Sequence, residues 1–358
     1  MTARNRRILF AAAATVLSVG AVVLQYRSYR TPPAARPAGA PVSRTDILPS
    51  GPGPDGMPAL DDPAFESVRA ADQYLKDDGY GVDVEVSGTR RFYPYQVLVW
   101  HAAVNDDFGG QALAVTYCPL CQGAAVYRRA IGGKDALFSS AGRTWNGNTV
   151  LADRESGSLW LQASGEAVDG ALKGKRLEPY PFRVVAWKRW KAAYPDGQVL
   201  SRATGFERDY TLDPALTYAA GQSLPFPSAR VDARESAKTP VVGLEVGNTH
   251  TAYNVADVSR LGVVNDMVGD VPASLWFDTE AGTAAAFDRR LADGRTLTFV
   301  QRVGGSIEDK ETGSAWRRDG KAIAGALKGR LLTPLSLRPM FWACWAGAFP
   351  DTNLYQLP

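Results

Sequence analysis

Three residues in the first half of the chain have the types and spacing to do chemistry together: His101, Cys118 and Cys121. The two thiols stand two residues apart in Thr116-Tyr-Cys-Pro-Leu-Cys-Gln-Gly123, a spacing shared by metal knuckles and reversible dithiols. Read as a metal centre, two thiolates and one imidazole supply three ligands. A fourth position is left for water, a substrate or a side chain such as Asp106, Asp107, Met340 or His250. That donor set favours a single copper, zinc or iron ion. Zinc sites legible in a sequence usually carry a second ligand pair at short spacing, and this chain has none. Read as a redox site, Cys118 is the attacking thiolate and His101 lowers its pKa, outside any βαβ pattern of the thioredoxin kind. Read structurally, the pair is an inert disulfide or two buried thiols, and so short a ring gains little entropy. The metal centre is the leading expectation, a thiol–disulfide oxidoreductase its alternative, and a non-catalytic cell-envelope binding module with a structural cysteine pair the third.

The elements that must position these groups are mostly strands. Short apolar runs punctuated by Gly, Asp and Asn, such as 81–86, 112–117 and 148–152, predict strands of about five residues joined by turns. One short helix is expected from Pro94 through Gln96 to His101, and another over Val185 to Tyr194 with Trp187 and Trp190 on one face. His101 would then be separated from the thiols by one turn and one strand, a topology that lets the ring return to the sulfurs.

The chain also resembles itself. Residues 165–196 align without gaps to 320–351 with 15 of 32 positions identical, and Asp153 to Trp160 matches Asp309 to Trp316. The expected fold class is therefore mainly β with a few short helices, α+β being the nearest neighbour, built as two duplicated β-rich units packed as a pseudo-twofold pair. The paired tryptophans Trp160/Trp316, Trp187/Trp342 and Trp190/Trp345 read as core. Features in one copy alone are candidates for chemistry: Cys118 and Cys121 align with Asp278 and Ala281, and His101 with Leu261. Arg143, Trp145, Asn146 and Gln162 have dissimilar counterparts in the second copy and are candidates for lining the same pocket, against the plainer reading of a solvated loop. Cys344 replaces Arg189 and is expected to be a buried free thiol; His250 is expected to be an exposed turn residue.

Composition bounds the rest. An apolar share of 45% and a charged share of 22% are those of a globular chain, and a net charge of +3 gives no electrostatic case for a nucleic-acid partner. Arg4, Arg6 and Arg7 precede an uncharged run from Ile8 to Leu24, about 26 Å long as a helix, close to the ~30 Å of a bilayer core. The expectation is one N-terminal membrane anchor with the body in the periplasm or outside the cell, a cleaved signal peptide being the alternative. The domain plan is a cytoplasmic start and anchor or signal over 1–30, a Pro/Gly-rich linker over 31–59, a first unit carrying the Cys-x-x-Cys site over 60–210, a connector over 211–240 and a second, degenerate unit over 241–358. Partners are the membrane and an unidentified small molecule or envelope protein. Phosphate-loop, Gly-x-Ser-x-Gly and His-Glu-x-x-His motifs are missing, and no nucleotide or flavin is expected.

Several of these segments resemble the family grouped as domain of unknown function 3179: Trp100-His-x-x-Val-Asn-Asp106, Val115-Thr-Tyr-Cys-Pro-Leu-Cys121, Asp153 to Trp160 followed by Gln162, and Ala203-Thr-Gly-Phe-Glu-Arg-Asp-Tyr210 leading to Pro225-Phe-Pro227. The likeness covers nearly everything after Ala59. It implies a secreted or tethered protein with a His/Cys-x-x-Cys centre and carries no established activity. Gln122 departs from it, since the family usually has Gly directly after the second cysteine.

Overall fold

The computed structural model describes residues 41–50, 53–221, 224–279 and 282–357. The expected anchor at 8–24, the arginines before it and part of the linker lie outside these residues. Among the described residues no helix is long and apolar enough to cross a membrane.

The fold is mainly β with short helices, the strands gathered in several small sheets. In the first unit a five-stranded sheet runs Arg183–Ala186, Tyr80–Val86, Thr89–Pro94, Gln198–Leu200, Phe65–Ser67. A three-stranded antiparallel sheet follows, Ala103–Phe108, Gln111–Cys118, Gly123–Arg128, and then a sheet built on the hairpin of Phe138–Trp145 with Asn148–Asp153. The second unit has a four-stranded sheet of Leu337–Phe341, Pro240–Val246, Thr249–Asn254 and Asn353–Leu354, another of Val263–Val268, Val271–Asp278, Thr283–Asp288 and Thr333–Leu335, and a small sheet around Ile307–Asp309. Alternation explains the first strands: Val82, Val84 and Val86 point into one core with Tyr93, Val104 and Val115.

Two expected helices come out shorter. Only Tyr95–Leu98 is helical after Pro94, and the run from Val185 begins as strand before Trp187–Ala193 turns helical. Val184 and Val185 are β-branched and pair with Val82 and Gly81, and that edge pairing outweighs the helical spacing of the tryptophans.

The aligned residues hold corresponding positions. Asp153 accepts the indole N–H of Trp160 at 2.9 Å, and Asp309 that of Trp316 at 2.9 Å. The strand position held by Asp83, which accepts from Trp190 at 2.8 Å, is Gly243 in the second unit. There the Trp345 ring lies so close that a Cβ would come within 2.0 Å of it. The units meet where the buried Arg338, paired with Glu245 of its own unit at 2.9 Å, donates to the Ala163 carbonyl at 2.8 Å, and where the exposed Arg176 reaches Glu245 at 2.7 Å.

Candidate functional site

Cys118 is the last residue of its strand and pairs with Gly123, so 119–122 form the tip of a hairpin. Pro119 fixes one backbone angle at the tip, and Gln122 closes it in the left-handed region at φ 52°. That is a conformation in which glycine is the unstrained residue. The Gln122 amide donates to the Pro119 carbonyl at 2.8 Å across the tip. Behind the tip the second unit packs tightly: a Cβ on Gly123 would meet the Met340 Cβ at 2.9 Å, and the Phe341 N–H donates to the Cys121 carbonyl at 2.9 Å.

A second hairpin closes over the sulfurs. Asn146 and Gly147 both have positive φ, 49° and 77°, the Asn-Gly turn that fits a two-residue β-hairpin. Its backbone is aimed at the cysteines. The Gly147 carbonyl oxygen lies 3.5 Å from Cys118 Sγ and 3.5 Å from Cys121 Sγ, so the two sulfurs are within twice that distance of each other. Thr149 N–H and Cys121 N–H each donate to Cys118 Sγ at 3.3 Å. Asn148 donates to Cys121 Sγ at 3.3 Å and to Gln162 at 3.0 Å, and Gln162 donates in turn to Thr116 at 3.0 Å.

The third cysteine arrives from the other unit. Cys344, on the helix Trp342–Ala348, is disulfide-bonded to Cys121, and Cys118 remains a buried thiol. The expectation of a free Cys344 is thereby corrected. The Asn146 carbonyl lies 3.8 Å from Cys344 Sγ, which places all three sulfurs around one turn. All three are buried in one cluster with Met340, Trp342 and Trp345. Burial pushes the Cys118 thiol above its ordinary pKa, and its N–H donors pull it back.

His101 has other work. Its Nδ1 is 2.8 Å from the Pro58 carbonyl, which can only accept, so the proton sits on Nδ1 and Nε2 is left as an acceptor. Tyr210 hydroxyl donates to Nε2 at 2.8 Å and accepts from Thr204 at 2.5 Å. The ring is buried, and desolvation lowers its pKa to about 4. His101 is thus a neutral bolt between the start of the body and the loop carrying Thr204 and Tyr210. The strand pairing of Ala103 with Thr116 does run back toward Cys118 as the topology required, yet both ring nitrogens are engaged.

As arranged, His101, Cys118 and Cys121 do not make a metal donor set. One sulfur is bonded to Cys344 and the imidazole is bonded on both sides; among the described residues no group of three His, Cys, Asp or Glu is placed to hold a metal. Two of the four candidate fourth ligands have other neighbours. Asp106 binds Arg91 and Tyr93, and His250, instead of lying exposed, stacks on Phe349 at 4.3 Å and faces Glu245 at 3.7 Å.

Of the other candidates, Asn146 and Gln162 are buried beside the sulfurs rather than on a solvated loop, Asn146 also holding the connector through the Arg230 carbonyl at 2.7 Å. Trp145 is buried in a neighbouring cluster and Arg143 is exposed. Residues that sequence reasoning missed are Cys344, Gly147, Asn148 and Thr149. Cys344 carried a signal: it too occurs in one copy alone, and it was the one cysteine left over beside a close pair.

Comparison with known proteins adds one match: a family model described as protein of unknown function (DUF3179) covers residues 54–352. No curated protein and no solved structure matches the chain.

Proposed function

The chain belongs to the DUF3179 family, and we propose that it acts as an exported, membrane-tethered protein whose centre is a thiol–disulfide site formed by Cys118, Cys121 and Cys344. Export rests on the arginines ahead of the apolar run from Ile8 to Leu24. The thiol–disulfide reading rests on one observation: a third cysteine thiol is held by backbone N–H donors against a disulfide. A bond that only braced two units would need no thiol beside it, whereas exchange proceeds by attack of such a neighbour. In the overall reaction, two electrons from a dithiol of an envelope protein reduce Cys121–Cys344 to two thiols, and the donor leaves as a disulfide.

The test is a redox titration of the full-length chain in detergent, counting thiols by alkylation and mass at poised glutathione ratios. The reading expects one thiol per oxidised chain and three per reduced chain, interconverting reversibly without unfolding. A bond that yields only after denaturation overturns it. Metal is assayed on the same sample: stoichiometric copper, zinc or iron that vanishes in Cys118→Ser would replace this reading with a soft-metal one.

A binding role is favoured by a separate observation. A cavity of about 270 Å³ lies between the units, walled by Tyr95, Phe182, Phe277, Leu335 and Met340, with Gln122 at its edge. Mostly apolar walls with few polar groups suit a small uncharged ligand. Ala285→Phe would fill it, so ligand-induced thermal stabilisation lost in that variant, with thiol behaviour unchanged, would support the binding role.

A further inference from the structure

We infer that the three cysteines form one exchange site with two bonding states, in which Cys118 displaces Cys344 from Cys121. The inference deepens the thiol–disulfide reading and rests on it, adding which bond is exchanged inside the chain. Cys121 is the shared partner because its own N–H donates to Cys118 Sγ at 3.3 Å and both sulfurs flank the Gly147 carbonyl at 3.5 Å. Cys344 instead sits by the carbonyl of Asn146, one residue back in the turn.

The step balances internally. Cys118 gives up its thiol proton and attacks Cys121 Sγ; the Cys118–Cys121 bond forms, the Cys121–Cys344 bond breaks, and Cys344 leaves as thiolate and takes up the proton. One disulfide and one thiol stand on each side, so no oxidant or reductant is consumed. What changes is the connection between units. In the first state the helix Trp342–Ala348 is covalently tied to the hairpin of the first unit. In the second it stays docked through Trp342 to the Asp232 carbonyl at 2.9 Å and Arg230 to the Gly347 carbonyl at 2.9 Å, with its own thiol released. The turn over the sulfurs keeps donors and acceptors for both states: Thr149 N–H and the Gly147 carbonyl serve Cys118 as a thiol, and the Asn146 carbonyl is beside Cys344 when its thiol needs an acceptor.

The experiment maps the single free thiol of the oxidised full-length chain by trapping in acid, denaturing, alkylating and sequencing peptides by mass. At first trapping the label is expected mainly on Cys118; after incubation at mildly alkaline pH without added thiol, part of it shifts to Cys344 while the total stays at one. Cys344→Ala is expected to form Cys118–Cys121 under a mild oxidant, and Cys118→Ser to hold Cys121–Cys344 with no label at all. Label that never leaves Cys118, or that appears on Cys121, overturns the inference; the wild-type mapping decides even where a variant fails to fold. If glutathione reduces and reforms Cys121–Cys344 while the label stays on Cys118, the exchange fails and the redox reading stands. If glutathione leaves the bond untouched while the label divides between Cys118 and Cys344, the reverse holds.

Discussion

Acidification tests the assignment of His101 as a neutral bolt. The ring is held with its pKa at about 4 by burial, against 6.5 when unhindered. Between those values the unfolded chain binds a proton that the folded chain refuses, so stability falls as the pH drops from 6.5 to 4 and is not recovered below. A displacement of that size corresponds to about 3 kcal/mol by pH 4, from about 1.4 kcal/mol per pKa unit. The assay is guanidinium unfolding of wild type and His101→Phe at pH 7.5, 6, 5 and 4. At pH 7.5 the variant should be the less stable, because Tyr210 and the Pro58 carbonyl each lose a partner, at a cost of about 1–3 kcal/mol apiece. Carboxylates common to both proteins cancel in the difference. The gap should therefore narrow by about 3 kcal/mol on going to pH 4. A gap that stays constant would mean that His101 titrates alike in both states, and one that widens would mean that the ring is charged in the fold; either refutes the hydrogen-bond directions assigned to it.

Three further outcomes follow from particular contacts. Cys344→Ala removes a bond spanning 223 residues of sequence; in the chain-entropy model it lowers stability by about 5 kcal/mol under non-reducing conditions, and a loss under about 1 kcal/mol would contradict the cross-link. Gln122→Gly relieves a left-handed residue and sacrifices only the hydrogen bond to Pro119, so thermal unfolding should show a gain of up to about 1 kcal/mol; a loss of about 2 kcal/mol or more would mean that the side chain holds the hairpin. Gly243→Ala drives a methyl into the Trp345 ring and should destabilise by about 1–3 kcal/mol or more; an unchanged midpoint would show that the ring has room to move.

The fold was legible where local physics governs it. Alternating valines at 82, 84 and 86 and the short apolar runs between turn residues pointed to strands, and the structure is mainly β. The helix near Val185 was overestimated because edge pairing with Tyr80–Asp83 is a tertiary event that helical spacing cannot register. The cysteine pair was legible as a candidate through its spacing and its absence from the aligned second segment. Its true partner was not, since Cys121 meets a residue from the other unit, a proximity that only the docking of the units creates. The partners of His101 were hidden for a related reason. What distinguishes a ligand from a bolt is whether its nitrogens are spoken for, and the groups that claim them, Pro58 and Tyr210, are 43 and 109 residues away along the chain.

The account turns on how three sulfurs are joined. The most direct measurement is peptide mapping of the full-length chain, purified without reductant from the compartment where it resides and blocked in acid before denaturation. The account predicts a cross-linked peptide joining Cys121 to Cys344, with the blocking group chiefly on Cys118. Three blocked cysteines in the oxidised protein, or a Cys118–Cys121 bond in every molecule with Cys344 always free, would contradict it.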